Sequence, residues 1–188
     1  HGRSLYEFAI DQKLVKKAID MGRSQGDLEI VYAAADGDFI DSKNDALYKW
    51  LTEGYKFHVT RVEDITKLDV PCIKLSFYKK ENIEEATRGI YEEFKNDLKI
   101  TCAGDMWMDC MALGVNKGNA VKMIQESLGI LPEETMAFGD QLNDIEMLGQ
   151  AYYSFAVANA REEVRKAARF QADSNGNNGV LKVLKQLL

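Results

Sequence analysis

The apolar positions of the chain fall into two regimes. In the first, Leu14, Val15, Ala18 and Met21 recur at helical spacing behind Asp11, which reads as an N-cap. Residues 2–10 ahead of it read as extended. Residues 28–32 (Leu-Glu-Ile-Val-Tyr) predict a strand. Ala35-Asp36-Gly37-Asp38 predicts a hairpin turn, with Phe39-Ile40 returning, because Asp-Gly favours tight turns. A helix follows over residues 43–51. Ile73, Leu75 and Phe77 alternate with Lys74, Ser76 and Tyr78, which suits a sheet covered on one side. Ile83, Thr87, Ile90 and Phe94 predict an amphipathic helix, and residues 98–102 and 107–113 two more strands. Up to about Asp109 the pattern is strand–helix–strand–strand–helix–strand, a small α+β unit with an open sheet.

The second regime begins near residues 109–114. Residues 117–128 predict a helix with Ala120, Val121, Ile124 and Leu128 facing inward. Thr135-Met136-Ala137-Phe138 is apolar without alternation, as a strand buried on both faces of a parallel sheet would be. Helices follow over 143–148, 162–170 and 180–188, with a strand over 153–158 between the first two. Strands alternating with helices predict a parallel α/β sheet. The expected division is an α+β domain over 1–110 and a parallel α/β domain over 111–188.

Composition narrows the function. Apolar residues make up 46% and charged residues 29% of 188 residues, which is globular. Asp plus Glu outnumber Lys plus Arg by 30 to 24, giving a net charge of −6 and arguing against nucleic acid or an anionic membrane surface as partner. No apolar run reaches the roughly 18 residues of a membrane span, and no signal-peptide pattern opens the chain. His1 is given no role. Cys72, Cys102 and Cys110 show no CxxC spacing, so free thiols in a reducing cytoplasm are expected. His58 lies in a short strand-like run with no nucleophile elbow near it, which leaves no Ser-His-Asp or Cys-His system.

Two segments carry candidate chemistry. Phe138-Gly139-Asp140-Gln141-Leu142-Asn143-Asp144 follows a buried strand and opens a helix. Sites in open parallel sheets gather at the carboxyl ends of strands. Asp140 belongs there, and Asp144 falls in the first turn of the next helix. Hard oxygen ligands at such a point suit Mg²⁺. A structural role alone, with Asn143 as helix cap and Asp144 on the helix dipole, leaves Asp140 unexplained. The second segment is Gly114-Val115-Asn116-Lys117-Gly118-Asn119-Ala120. A helix dipole disfavours a lysine at its start, but a lysine beside exposed N–H groups grips phosphate. A solvated surface lysine is the competing reading. The segment does not match the phosphate loop of nucleotide-hydrolysing enzymes.

Together these elements resemble a family. A lysine opening a helix, Gly-Asp-x-x-Asn-Asp after a strand, then Ala156-Val157-Ala158-Asn159-Ala160 and Asn178-Gly179-Val180 resemble the C-terminal part of haloacid-dehalogenase-superfamily phosphatases, in particular the Cof-type subgroup. The resemblance implies a partial Rossmann-like core carrying an α+β cap. It also implies Mg²⁺-dependent hydrolysis of small phosphate monoesters such as sugar phosphates. Lys117 would neutralise the phosphoryl oxygens, Asp140 would bind Mg²⁺, Asp144 would support the metal or its waters, and Asn143 would lie beside the phosphate. The family's reaction transfers the phosphoryl group to an aspartate and then hydrolyses it.

One departure matters. The family opens on a buried strand ending in Asp-x-Asp, nucleophile first and general acid/base second. The chain lacks that opening and reads as a C-terminal fragment, inactive alone and prone to self-association through exposed core. Asp36-Gly37-Asp38 after an apolar run, with Thr60 ending another, offers a literal substitute. Ile40 and the hairpin explanation count against it. The alternative class is a non-catalytic α/β binding or assembly module. Met106, Trp107 and Met108 are read as core more than as pocket lining.

Overall fold

The computed structural model describes residues 6–186. The expectations for His1 and for residues 2–5 lie outside them, as does the end of the helix read over 180–188. The chain divides into two compact units, His1–Leu113 and Gly114–Leu188.

In the first unit, Asp11 caps α1 (Gln12–Ser24), its carboxylate accepting from the Lys13 and Leu14 amides. The buried stripe is Val15, Ala18, Ile19 and Gly22. A hairpin of β1 (Glu29–Ala34) and β2 (Gly37–Ile40) turns at Ala35-Asp36. The turn residues keep negative φ, and the unusual backbone falls on Gly37 at φ 147°. A Cβ there would lie 2.9 Å from the His58 carbonyl oxygen, so only glycine fits beside β3 (Val59–Arg61). The helix expected over 43–51 is a short α2 (Asp45–Lys49) running into a π-helical turn, Trp50–Gly54. Next come β4 (Lys74–Tyr78), α3 (Ile83–Ala86), α4 (Arg88–Phe94), β5 (Leu98–Ala103) and β6 (Trp107–Ala112).

The six strands form one sheet in the order β3-β2-β1-β4-β6-β5, antiparallel except for β2 with β3. One expectation changes and another is sharpened. No strand precedes α1 over residues 6–10, and the short strand-like run around His58 ends in β3, the edge strand paired with β2. The sheet is also covered on both faces. One face packs Leu75, Phe77, Met108 and Cys110 against α1, α3 and α4; the other packs Val31 and Ile40 against Leu47 and Leu51. The polar alternation of β4 hides the second cover because α2 reaches only part of that face. Met108 is core, as expected, while Trp107 is half-buried in an aromatic group with Trp50 and Tyr78.

The second unit holds α5 (Lys117–Leu128), β7 (Met136–Gly139), α6 (Ile145–Gly149), β8 (Tyr153–Val157), α7 (Glu162–Ala167), β9 (Phe170–Ala172) and α8 (Gly179–Leu184). Strands β7-β8-β9 are parallel neighbours, as alternating strands and helices require. Strand β9 takes Phe170, the last residue that helical periodicity assigned to the preceding helix, and that helix ends at Ala167. The face of α5 is also corrected. Ala120, Ile124 and Leu128 are exposed, and Gly118 and Gln125 point inward. Gln125 wins the buried position because its amide donates to Thr135 Oγ1 at 2.7 Å and to the Gln150 carbonyl at 2.9 Å. Gly118 wins because a Cβ would come within 2.6 Å of the Glu146 backbone.

Glycine at 22 gives a test of the packing. A Cβ there would lie 2.5 Å from a Phe77 ring carbon and 3.0 Å from Ile30 Cδ1. Gly→Ala ordinarily favours a helix by up to about 1 kcal/mol. Here Gly22→Ala is expected to destabilise by about 1–3 kcal/mol through overpacking. Urea unfolding measures it, and a gain in stability contradicts the close approach.

Candidate phosphate-handling site

The second unit gathers its polar residues where β7 ends. Asp140 directly follows Gly139, the last residue of β7. A 3-10 turn, Leu142–Asp144, then leads into α6. Asp144 is 4% exposed, the most deeply buried carboxylate among the described residues. Its Oδ2 accepts from the Asp140 amide at 2.9 Å and the Gln141 amide at 3.0 Å. Its Oδ1 is ion-paired with Lys117 Nζ. Burial pushes this carboxyl up, but Lys117 and the two backbone donors outweigh burial and hold it below its ordinary value.

Local sequence explains this closure. A Cβ on Gly139 would stand 2.6 Å from Asp144 Cβ, so only glycine lets the loop fold back on the strand end. Asn116 caps α5 by accepting from the Asn119 amide at 2.7 Å, and Asn119 Nδ2 donates to the Gly114 carbonyl at 2.6 Å. Gly114 takes φ 81° to allow that turn. Lys117 is the first residue of α5, and its side chain is half exposed. The lysine therefore presents a charge at a helix N-terminus, with its own counter-charge held behind it.

The structure thus brings Lys117, Asp140 and Asp144 into one cluster. Asn143 lies on the same turn and is exposed; it caps no helix, since Gln141 flanks the 3-10 turn and Asp144 flanks α6. Asp140 is half-buried, and its carboxylate accepts a 3.3 Å contact from Gln141 Nε2. Its backbone carbonyl accepts from the Arg161 amide at 3.2 Å, tying the β8 exit to the β7 exit. Asn159 in turn accepts from the Asn175 amide at 3.0 Å. The pattern missed Asp173, which follows β9 and pairs with Lys182 of α8 at 2.5 Å. A three-residue strand left no signal for it. Gly179 fits against the Asp173 backbone, where a Cβ would lie 1.9 Å from the carbonyl oxygen. Asp36 sits in the β1–β2 turn of the other unit, in the hairpin that its Asp-Gly sequence predicts.

Known proteins agree with the fold. The E. coli 5-amino-6-(5-phospho-D-ribitylamino)uracil phosphatase YbjI is 27% identical over 188 residues, covering all of this chain and 69% of that protein. The Bacillus subtilis phosphatase YwpJ is also 27% identical, over all of this chain and 63% of its own length. A crystal structure from Eubacterium rectale superposes with a TM-score of 0.92 at 34% identity, over 98% of this chain and 71% of that one. BT1666 from Bacteroides thetaiotaomicron, described among phosphatases of the haloalkanoate superfamily, gives 0.73 at 25% identity, over 98% and 68%. The family profile described as haloacid dehalogenase-like hydrolase matches residues 1–184, and the chain belongs to that family.

Proposed function

We propose that this chain supplies the phosphate clamp and a metal-binding carboxylate of a phosphatase acting on small phosphate monoesters, sugar phosphates among them. The observation that carries the reading is the buried Asp144, which holds Lys117 at a helix start beside the strand-end carboxylate of Asp140. Lys117 would neutralise phosphoryl oxygens together with the α5 amides. Asn143, exposed on the same turn, would hydrogen-bond the phosphate. The second unit would be the C-terminal half of the core, and the first unit its α+β cap.

The donor set suits Mg²⁺, which takes one or two carboxylates and keeps waters for phosphate. Asp140 has a carboxylate with room for it. Asp144 has both oxygens engaged, so its part is to position Lys117 and the loop that carries Asp140. Bound there, the cation would add positive charge beside the transferring phosphoryl group. Among the described residues no three His, Cys, Asp or Glu side chains cluster as a metal site.

The nucleophile is assigned to residues outside this sequence, because Asp36 and Asp38 belong to a hairpin of the first unit. The three unpaired cysteines fit a reducing cytoplasm, with burial pushing the Cys72 and Cys110 thiols up to about 12. No helix among the described residues is long and apolar enough to cross a membrane.

With Mg²⁺ and an aryl phosphate, the 188-residue chain is expected to show no turnover above its Asp140→Asn variant. A longer product of the same gene carrying an upstream Asp-x-Asp should turn over. Lys117→Ala in it should lower kcat on the order of 10²–10³-fold, as removal of a single charge-stabilising donor does. Turnover by the 188 residues that Asp36→Asn abolishes contradicts the reading.

A second test uses acid. A carboxyl held low when folded stabilises above its unfolded value of about 3.9, and that stability is lost as pH falls through the lower folded value. In EDTA, urea unfolding should show stability falling below about pH 4. Asp144→Asn should lower stability at pH 7 by about 1–3 kcal/mol and flatten that acid limb. An unchanged limb contradicts the assignment.

Ile124 and Leu128 of α5, the latter 65% exposed, and Phe170 at the end of the ring row Phe138–Phe155–Phe170 are exposed. Sedimentation of the 188-residue chain should therefore show concentration-dependent self-association. A strict monomer at high concentration contradicts this.

A further inference from the structure

The chain contains two Asn-Gly pairs, Asn175-Gly176 and Asn178-Gly179, both in the connection between β9 and α8. Asparagine is thermolabile because the backbone nitrogen of the next residue attacks its carboxamide, and a following glycine leaves that nitrogen unshielded. The fold treats the two pairs differently. Asn175 and Gly176 are both exposed, in the 3-10 turn Asn175–Asn177. The Gly176 amide donates to Asn175 Oδ1 at 2.8 Å, and no backbone carbonyl among the described residues takes it. The carboxamide therefore stands against the nitrogen that attacks it. A Cβ on Gly176 would meet only Ser174 Oγ, 3.9 Å away, so the space around that nitrogen is open to water.

At Asn178 the same chemistry is blocked. The Gly179 amide donates to the Ser174 carbonyl at 3.0 Å, which holds its proton in place. Gly179 is buried, and a Cβ on it would fall 1.9 Å from the Asp173 carbonyl oxygen. A ring closing at this nitrogen would have to open the start of α8. Attack takes a free, movable amide, and of the two pairs only Asn175-Gly176 offers one.

We propose that Asn175 is a site of covalent self-modification, at which water replaces the side-chain nitrogen by way of a cyclic imide. The Gly176 nitrogen gives its proton to solvent hydroxide and bonds to Asn175 Cγ. The Cγ–Nδ2 bond breaks, ammonia leaves, and a succinimide ring closes. Water then opens the ring at either carbonyl. One opening leaves an aspartate in the ordinary chain; the other leaves an isoaspartate, with the chain running through Cβ and Cγ. Both replace a neutral amide with a carboxylate, and nothing is oxidised or reduced. The two products differ in what they do to the turn. The Asn175 amide donates to Asn159 Oδ1 at 3.0 Å, and its carbonyl accepts from the Asn178 amide at 3.1 Å. The aspartate keeps both bonds. The isomer turns that carbonyl into a free carboxylate and lengthens the chain by a methylene, which loosens the approach to α8. Phosphate handling plays no part in this chemistry.

The test is incubation of the folded 188-residue chain in warm, mildly alkaline buffer, with peptide mass spectrometry locating the mass gain of amide-to-acid conversion. A parallel sample unfolded in urea gives the rates without the fold. In the folded chain Asn175 is expected to convert roughly tenfold or more faster than Asn178, the protection a backbone hydrogen bond confers. In urea the two should convert at similar rates. Conversion of Asn178 at the pace of Asn175 in the folded chain overturns the proposal. So does an Asn175 that stays intact while the urea sample converts, or a gap that persists in urea, since sequence and not fold would then select the site. The route has its own readout. An isoaspartyl methyltransferase labels the free α-carboxyl of the isomer, and label is expected at position 175. An aspartate product without isomer means direct hydrolysis and overturns the ring. Gly176 has no positive φ and open space beside it, so Gly176→Ala crowds the nitrogen without straining the turn. That variant should slow conversion of Asn175 several-fold, and an unchanged rate contradicts attack by this nitrogen. The parent comparison decides the matter even if the variant fails to fold.

Discussion

One buried carboxylate organises the second unit. Asp144 closes the loop after β7 by accepting two backbone amides, and it holds Lys117 from another helix. The magnitudes show which contacts matter most. Lys117 is half exposed, so its ion pair is screened and worth little by itself. The amide bonds are made at the buried end, where leaving a carboxylate unpaired would cost most. Gly139 and Gly118 are the steric conditions for this closure, each standing where a Cβ would collide with the segment that carries Asp144. A strand end, a turn and the starts of two helices are therefore joined through Asp144, and together they present Lys117, Asp140 and Asn143.

The two units are stabilised differently. The first buries Phe77, Phe94, Tyr32 and several isoleucines around a six-stranded sheet. The second has a core made mostly of alanines, with Leu148 and Val164 as its larger fully buried members. Alanine contributes little apolar area, so polar closure carries more of the second unit's definition than of the first. Gln125, Asp144 and the Asn159–Asn175 link are parts of that polar framework. With the proposed site in the polar-framed unit, site geometry and local stability depend on the same bonds.

Much of this was legible in the residues. Asp11 capped its helix, the hairpin turned at Ala35-Asp36 ahead of Gly37, and Gly-Asp-x-x-Asn-Asp marked the end of a short apolar strand. What periodicity misjudged has local causes. An apolar face on α5 pointed to a core that the described residues do not supply, whereas Gln125 found buried partners that no hydropathy pattern encodes. The three-residue strand β9 is too short for convincing alternation. The resemblance gave Asp140 and Asp144 different parts, but the residues alone did not show that backbone amides claim Asp144.

Amide hydrogen exchange at Asp140 and Gln141 tests the central claim most directly. If Asp144 braces the loop, both amides exchange as slowly as those of β7 in the intact chain and rapidly in Asp144→Asn. Exchange at open-loop rates in the intact chain would mean that the carboxylate does not hold the site together, and the account would fail.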